Sequence, residues 1–173
     1  MLKGLDPLLG ADLLYVLAAM GHGDELALVD RNFPAVSMSK RLVRLPGTDV
    51  VAAARAILSV LPLDTFVGQP VTRMEVVGEP NEVPQVQDDF LVFCQESEGR
   101  AFEMGSLSRE DFYARAREAF AVVATTEPRP YGCFLLKKGV INDSRAAGAT
   151  VQVDRLGKDQ VRVRSSADNV GRS

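Results

Sequence analysis

The stretch DLLYVLAAMGHGDELALVD, residues 12–30, decides the fold because two periodicities meet inside it. Leu13, Leu14, Leu17 and Ala18 follow Asp12 at helical spacing and the pattern stops at Gly21, so a helix is expected over about 12–20. Leu26, Leu28 and Val29 then form a short apolar strand that closes at Asp30, before Asn32-Phe33-Pro34 turns the chain. A helix joined to a strand across a glycine-bounded turn is one unit of a layered α/β fold.

The same alternation continues outward. Leu42, Val43 and Leu45 read as a second strand, and Thr48 as the cap of an Ala- and Val-rich helix ending before Pro62. Val71 to Val77 alternates as a strand, and a helix over Val83 to Gln95 has its end marked by Gly99. Ala101 to Met104 reads as a strand. Ser108-Arg109-Glu110-Asp111 resembles a capping box that opens a helix through Ala119. Phe120 to Thr125 is a buried strand, and Cys133 to Lys137 another. The expectation is a single α/β domain over residues 1–141, with a largely parallel sheet flanked by helices.

Residues 142–173 differ in composition: they contain no aromatic residue and no methionine, and are rich in Arg, Asp, Ser and Gly. Val151/Val153 and Val161/Val163, flanking Gly157, suit a small hairpin. The last ten residues read as a loosely ordered tail.

The 173 residues carry a net charge of −3, which argues against a nucleic-acid partner, because phosphate binding needs a concentrated basic face. One histidine and two cysteines, Cys94 and Cys133, exclude His-rich and Cys-rich zinc sites, and no metal is expected. The cysteines lack CxxC spacing and suggest reduced thiols. Asp6 and Pro7 interrupt the first apolar run before a signal peptide forms, and Leu13 to Met20 is too short to span a bilayer. A cytoplasmic protein without a membrane partner is the expectation.

Several side chains invite a chemical role. His22 lies between two glycines where helix gives way to strand, and its unperturbed pKa suits proton transfer at cellular pH. Read alone, it is equally a surface histidine favouring the negative end of its helix. Gly21-His22-Gly23 begins like a dinucleotide fingerprint, but position 26 is Leu and the segment follows a helix, so that reading fails. Asp30 stands at the carboxyl end of its strand, where open α/β sheets bind ligands, or it caps the following turn. Arg109 occupies a first helical turn, where the macrodipole disfavours a cation, so it is either solvated or aimed at a ligand. Asp64 suits a turn and Tyr113 an amphipathic face. Glu127-Pro128-Arg129-Pro130 stiffens the approach to Tyr131, a candidate hydroxyl contact or proton relay.

Taken in order, these segments resemble the D-ribose pyranase/L-fucose mutarotase family. The likeness runs from Leu2-Lys3-Gly4 and Asp6-Pro7-Leu8-Leu9 through Met20-Gly21-His22-Gly23-Asp24-Glu25, Asp30 and Asn32-Phe33-Pro34-Ala35. It continues through Leu61-Pro62-Leu63-Asp64-Thr65, Phe112-Tyr113-Ala114-Arg115-Ala116 and Tyr131-Gly132, to Leu135-Leu136-Lys137-Lys138-Gly139-Val140. His-Gly-Asp-Glu and Arg109 place it nearer the fucose branch. The resemblance implies a homo-oligomer, often a ring, with sites near subunit contacts, that interconverts the α and β anomers of a pyranose without an organic cofactor. Matched by position, His22 takes the proton-donor place. Asp30, Arg109 and Tyr131 take sugar-contacting places, and Asp64 and Tyr113 further site positions. The family's Tyr-Gly-Asn is Tyr131-Gly132-Cys133 here, so a weakly bonding thiol replaces a primary amide. That departure keeps two other readings open: a monosaccharide-binding protein without turnover, and a pyranase acting on D-ribose.

Overall fold

The computed structural model describes residues 2–141, 152–155 and 161–164. Its first compact unit, Met1–Val140, holds four helices and six strands. In chain order these are α1 (Ala11–Ala19), β1 (Glu25–Val29), β2 (Leu42–Leu45), α2 (Val50–Leu58) and β3 (Val71–Met74). They continue with α3 (Gln85–Glu98), β4 (Met104–Leu107), α4 (Arg109–Glu118), β5 (Ala121–Thr125) and β6 (Phe134–Lys137). The six strands form one sheet in the order β2-β5-β1-β6-β3-β4. β1–β5, β2–β5 and β3–β4 pair in parallel, whereas β6 runs antiparallel to both its neighbours.

This topology has one consequence for the site. Five carboxyl ends share an edge of the sheet with the amino end of β6, because β6 alone is reversed. Asp30, the start of α4 and Tyr131–Cys133 therefore arrive at that same edge.

The two faces bury different sets of side chains. Along β1, Leu26 and Leu28 join one cluster and Ala27 and Val29 the other, as the twofold strand period requires. The first cluster holds Leu13, Val16 and Leu17 of α1, Ala53 and Ile57 of α2, and Phe90 of α3, which stacks on Phe134 at 3.7 Å between ring centroids. The second holds Phe112 and Ala116 of α4 with Phe33 and Ala35. α4 carries Glu110 and Asp111 in its first turn and Arg115 and Arg117 in its last, both signs complementing the helix dipole.

Three local expectations are corrected. The cap of α2 is Asp49, which accepts from the Ala52 N–H at 2.8 Å; the Thr48 carbonyl is instead bonded by the Thr126 N–H. The third strand ends at Met74, short of Val77. The fourth begins at Met104 and not Ala101, since Met104 is the residue opposite Val71. Residues 101–103 are held from another side: Gln95 Nε2 donates to the Phe102 carbonyl, and the Arg100 guanidinium lies over the Phe102 ring.

The second unit, Ile141–Ser173, contains β7 (Gln152–Arg155) and β8 (Val161–Arg164), paired antiparallel with Val153 opposite Val163. The looseness expected of the last ten residues falls, beyond Arg164, outside the described residues. No helix among the described residues is long and apolar enough to cross a membrane.

Candidate active site

His22 sits in the turn between α1 and β1, and that turn is closely tied. The Asp24 carboxylate accepts from the Gly21 N–H at 2.7 Å, and the Gly23 N–H donates to the Lys138 carbonyl at 2.8 Å. Gly23 has φ 85°, a left-handed conformation that favours glycine. The Lys138 ammonium donates to the carbonyls of Leu17 and Met20, so a cation terminates α1 two residues before the histidine. Asp64 approaches from the end of β6. Its N–H donates to the Lys137 carbonyl at 3.0 Å, and backbone contact there is so close that a Cβ on Gly139 would lie 2.6 Å from the Leu63 oxygen.

These two loops bring His22 Nε2 within 3.3 Å of Asp64 Oδ1. The imidazole is half exposed while the carboxylate is buried. Burial pushes the Asp64 carboxyl up, but the Phe66 N–H, the imidazole and Lys137 together outweigh it and hold the group below its ordinary value. An ionised carboxylate at Nε2 selects the tautomer protonated there, which leaves Nδ1 with the exchangeable lone pair.

The opposite edge assembles different chemistry. Asp30 is buried, and its Oδ1 accepts from the N–H groups of Asn32 and Phe33, so it is a turn cap as well as a candidate ligand. Cys133 is also buried with its thiol against Asp30. Burial first, and the Asp30 charge second, push its pKa up, so it remains a thiol and not a nucleophile. Tyr113 packs edge-on against Phe33 at 5.2 Å, with Cys133, Arg109 and Asp30 around its phenol. Burial raises the Tyr113 pKa, which keeps it a neutral donor. Arg109 meets only its exposed neighbour Glu110 among the described side chains, at 3.2 Å, a contact that constrains it little.

Tyr131 has φ 63°, rare for a residue with a side chain and costing about 1–3 kcal/mol. The conformation is held by the buried Gln87, whose Nε2 donates to the carbonyls of Tyr131 and Met74 while its Oε1 accepts from Arg73. Gly132 beside it is closely packed: a Cβ there would lie 3.1 Å from Glu127 Cγ, and the Glu127 side chain would have to give by a few tenths of an ångström. Glu127 in turn accepts from Arg129 through both carboxylate oxygens and from the Val50 N–H at the start of α2. The Tyr131 hydroxyl accepts from the Val77 N–H at 3.3 Å.

The sequence-selected residues thus fall into two groups. Asp30, Arg109, Tyr113, Tyr131, Gly132 and Cys133 gather at the carboxyl edge, whereas His22 and Asp64 pair at the amino edge of β1. The five residues of β1 between them span roughly 17 Å. Each edge bears an open cleft: about 490 Å³ beside Asp30, Arg44 and Thr126, and about 640 Å³ beside Gly23, Glu25 and Lys137. Of the sequence-selected residues only Asp30 lines either cleft; His22, Asp64, Arg109, Tyr113 and Tyr131 line neither. Lys138, Gln87 and Glu127 escaped functional notice in the sequence, because a buried polar partner gives no local pattern. No group of three or more potential metal ligands occurs among the described residues.

With this geometry in view, similarity to known proteins is informative. The sequence profile of the RbsD / FucU transport protein family matches residues 3–141. An L-fucose mutarotase of Haemophilus influenzae (strain 86-028NP) is 39% identical over 140 residues, covering 81% of this chain and 97% of that protein. The crystal structure of the fucose mutarotase of Streptococcus pneumoniae in complex with L-fucose superposes with a TM-score of 0.72 at 36% identity, covering 81% of this chain and 99% of that one. The structure of Bacillus subtilis RbsD complexed with D-ribose shares the fold, with a TM-score of 0.60 at 21% identity over 82% of this chain and 99% of that one.

Proposed function

The chain belongs to the RbsD / FucU transport protein family, and from that premise we propose that it interconverts the α and β anomers of L-fucose. One observation carries the chemistry: a half-exposed imidazole with its Nε2 tied to a buried carboxylate. Mutarotation needs little more. A proton is delivered to the ring oxygen and one is removed from the anomeric hydroxyl. The bond from the anomeric carbon to the ring oxygen breaks as the aldehyde forms. The carbonyl rotates, and the ring closes on its other face. As the imidazolium, His22 gives its Nδ1 proton to the ring oxygen on opening and recovers one from the same oxygen on closure, while Tyr131 or a water takes the anomeric hydroxyl proton and returns it. Positioned acid–base groups contribute about 10²–10⁴-fold. Asp30 and Arg109 orient the remaining hydroxyls, which lowers the entropy cost of reaction.

A separation of roughly 17 Å along β1 is too long for one monosaccharide to bridge. The same two edges on neighbouring subunits meet if the protein is a homo-oligomer with head-to-tail contacts, as a closed ring provides. His22 and Asp64 of one subunit then face Asp30, Arg109, Tyr113 and Tyr131 of the next. This reading explains why each half is open and why neither is complete. Cytoplasmic placement accords with reduced Cys94 and Cys133.

Saturation-transfer NMR on L-fucose tests the activity. The protein should carry magnetisation between the two anomer signals, and His22→Asn should reduce that transfer to the uncatalysed level while the fold persists. Shifts or broadening without transfer would instead mark a sugar-binding protein. Exchange between pyranose and furanose signals of D-ribose would mark a pyranase. Wild-type transfer rates in the His22→Asn variant would remove His22 from the mechanism.

A further inference from the structure

Phe66 is an apolar ring left in solvent beside the group assigned to proton transfer. It is 70% exposed, and it belongs to neither core cluster. An isolated exposed aromatic needs no explanation by itself. Here two further contacts fix it. Its ring lies 5.5 Å from the imidazole of His22, tilted by 60°. Its N–H donates at 2.9 Å to Asp64 Oδ1, the oxygen that also holds His22 Nε2. One buried carboxylate therefore contacts both the proton-transfer group and the backbone that carries an aromatic surface.

Beyond its contact with the His22 imidazole the ring packs on neither core cluster, so most of its surface is open to something that arrives from outside. A sugar offers polar hydroxyls and patches of C–H surface, and an aromatic ring accepts the latter with a gain from area burial. A 6-deoxyhexose also carries a methyl group, its one purely apolar substituent. Resting on the mutarotase reading, we propose that Phe66 is a specificity-determining residue that packs against the methyl edge of a 6-deoxyhexose while His22 works at the ring oxygen. The carboxyl edge contributes polar and charged groups for the hydroxyls, whereas Phe66 supplies apolar surface next to the imidazole. A sugar with a hydroxymethyl group at that position would have to desolvate a hydroxyl against the ring, and would be disfavoured.

The experiment compares anomer exchange of L-fucose and L-galactose, which differ only by that hydroxyl, in the wild-type protein and in Phe66→Ala and Phe66→Leu. One methyl-sized apolar contact discriminates by roughly tenfold or more. Phe66→Ala should raise KM for L-fucose by about tenfold with a smaller change in kcat, and should shrink the preference over L-galactose by a similar factor. Phe66→Leu should keep part of both. Saturating the aromatic protons should transfer most strongly to the fucose methyl protons, and this preference should vanish in Phe66→Ala. Equal losses for the two sugars, or no change for either, would overturn the assignment. So would dissociation of the assembly in Phe66→Ala, seen by sedimentation, since that would make the ring a subunit contact. Failure of the wild-type protein to exchange any sugar would sink the mutarotase reading itself, and this assignment with it.

Discussion

Asp64 shows how burial assigns a role that residue identity leaves open. The sequence offers it as a site residue of the fucose branch, which leaves sugar contact and support of His22 undistinguished. Its side chain is 4% exposed, and Oδ1 is occupied by the imidazole and the Phe66 N–H. Such a group positions the imidazole; it has little surface left for a sugar. Asp64→Asn should therefore lower kcat for anomer exchange by about tenfold or more with KM nearly unchanged. A raised KM at unchanged kcat would make Asp64 a sugar ligand instead. A lone histidine between glycines at a helix–strand junction singled His22 out, but only the family resemblance gave it the proton-donor place. Lys138 was not legible, since its link to α1 spans more than a hundred residues and depends on β6 returning antiparallel beside β1.

At the scale of elements, the strongly patterned segments were legible and the weakly patterned ones were not. β1 and β5 carry continuous apolar or β-branched runs, and α4 has a capping serine with acids behind it. The fourth strand has only a mixed run to recommend it, and its register depends on β3, which no local signal reports. The turn after β5 is the element that places Tyr131, and Glu127 is its anchor. Arg129 pulls the Glu127 carboxyl below its ordinary value against the opposing effect of burial, with help from the N–H groups of Arg129 and Val50. A carboxyl depressed on folding contributes stability that is present above its unfolded pKa and lost as pH falls through the folded one. Glu127→Gln should destabilise the protein near neutrality by about 1–2 kcal/mol, a figure discounted because Arg129 is partly exposed. The gap from wild type should narrow as pH falls below about 4. Urea unfolding at neutral and acid pH checks this, and a gap that widens in acid would contradict it.

For the whole molecule, the decisive fact is the distance between the two edges of one sheet. α/β architecture and the largely parallel sheet followed from alternating helical and strand periods. Strand order did not, because the reversal of β6 is invisible in a run of four apolar-rich residues. That reversal delivers Tyr131 and Cys133 to the edge of Asp30 and sends Lys137 and Lys138 to the edge of His22. The proposed site shared between subunits rests on this arrangement. Its most direct test mixes His22→Asn and Asp30→Asn chains by co-expression and measures anomer exchange of L-fucose by saturation transfer. Each variant alone should be inactive. In random mixed assemblies about a quarter of the sites would pair an intact His22 with an intact Asp30 of the adjacent subunit, so roughly a quarter of wild-type exchange should return. Mixed assemblies as inactive as the separate variants would contradict a shared site and place both residues in the work of a single chain.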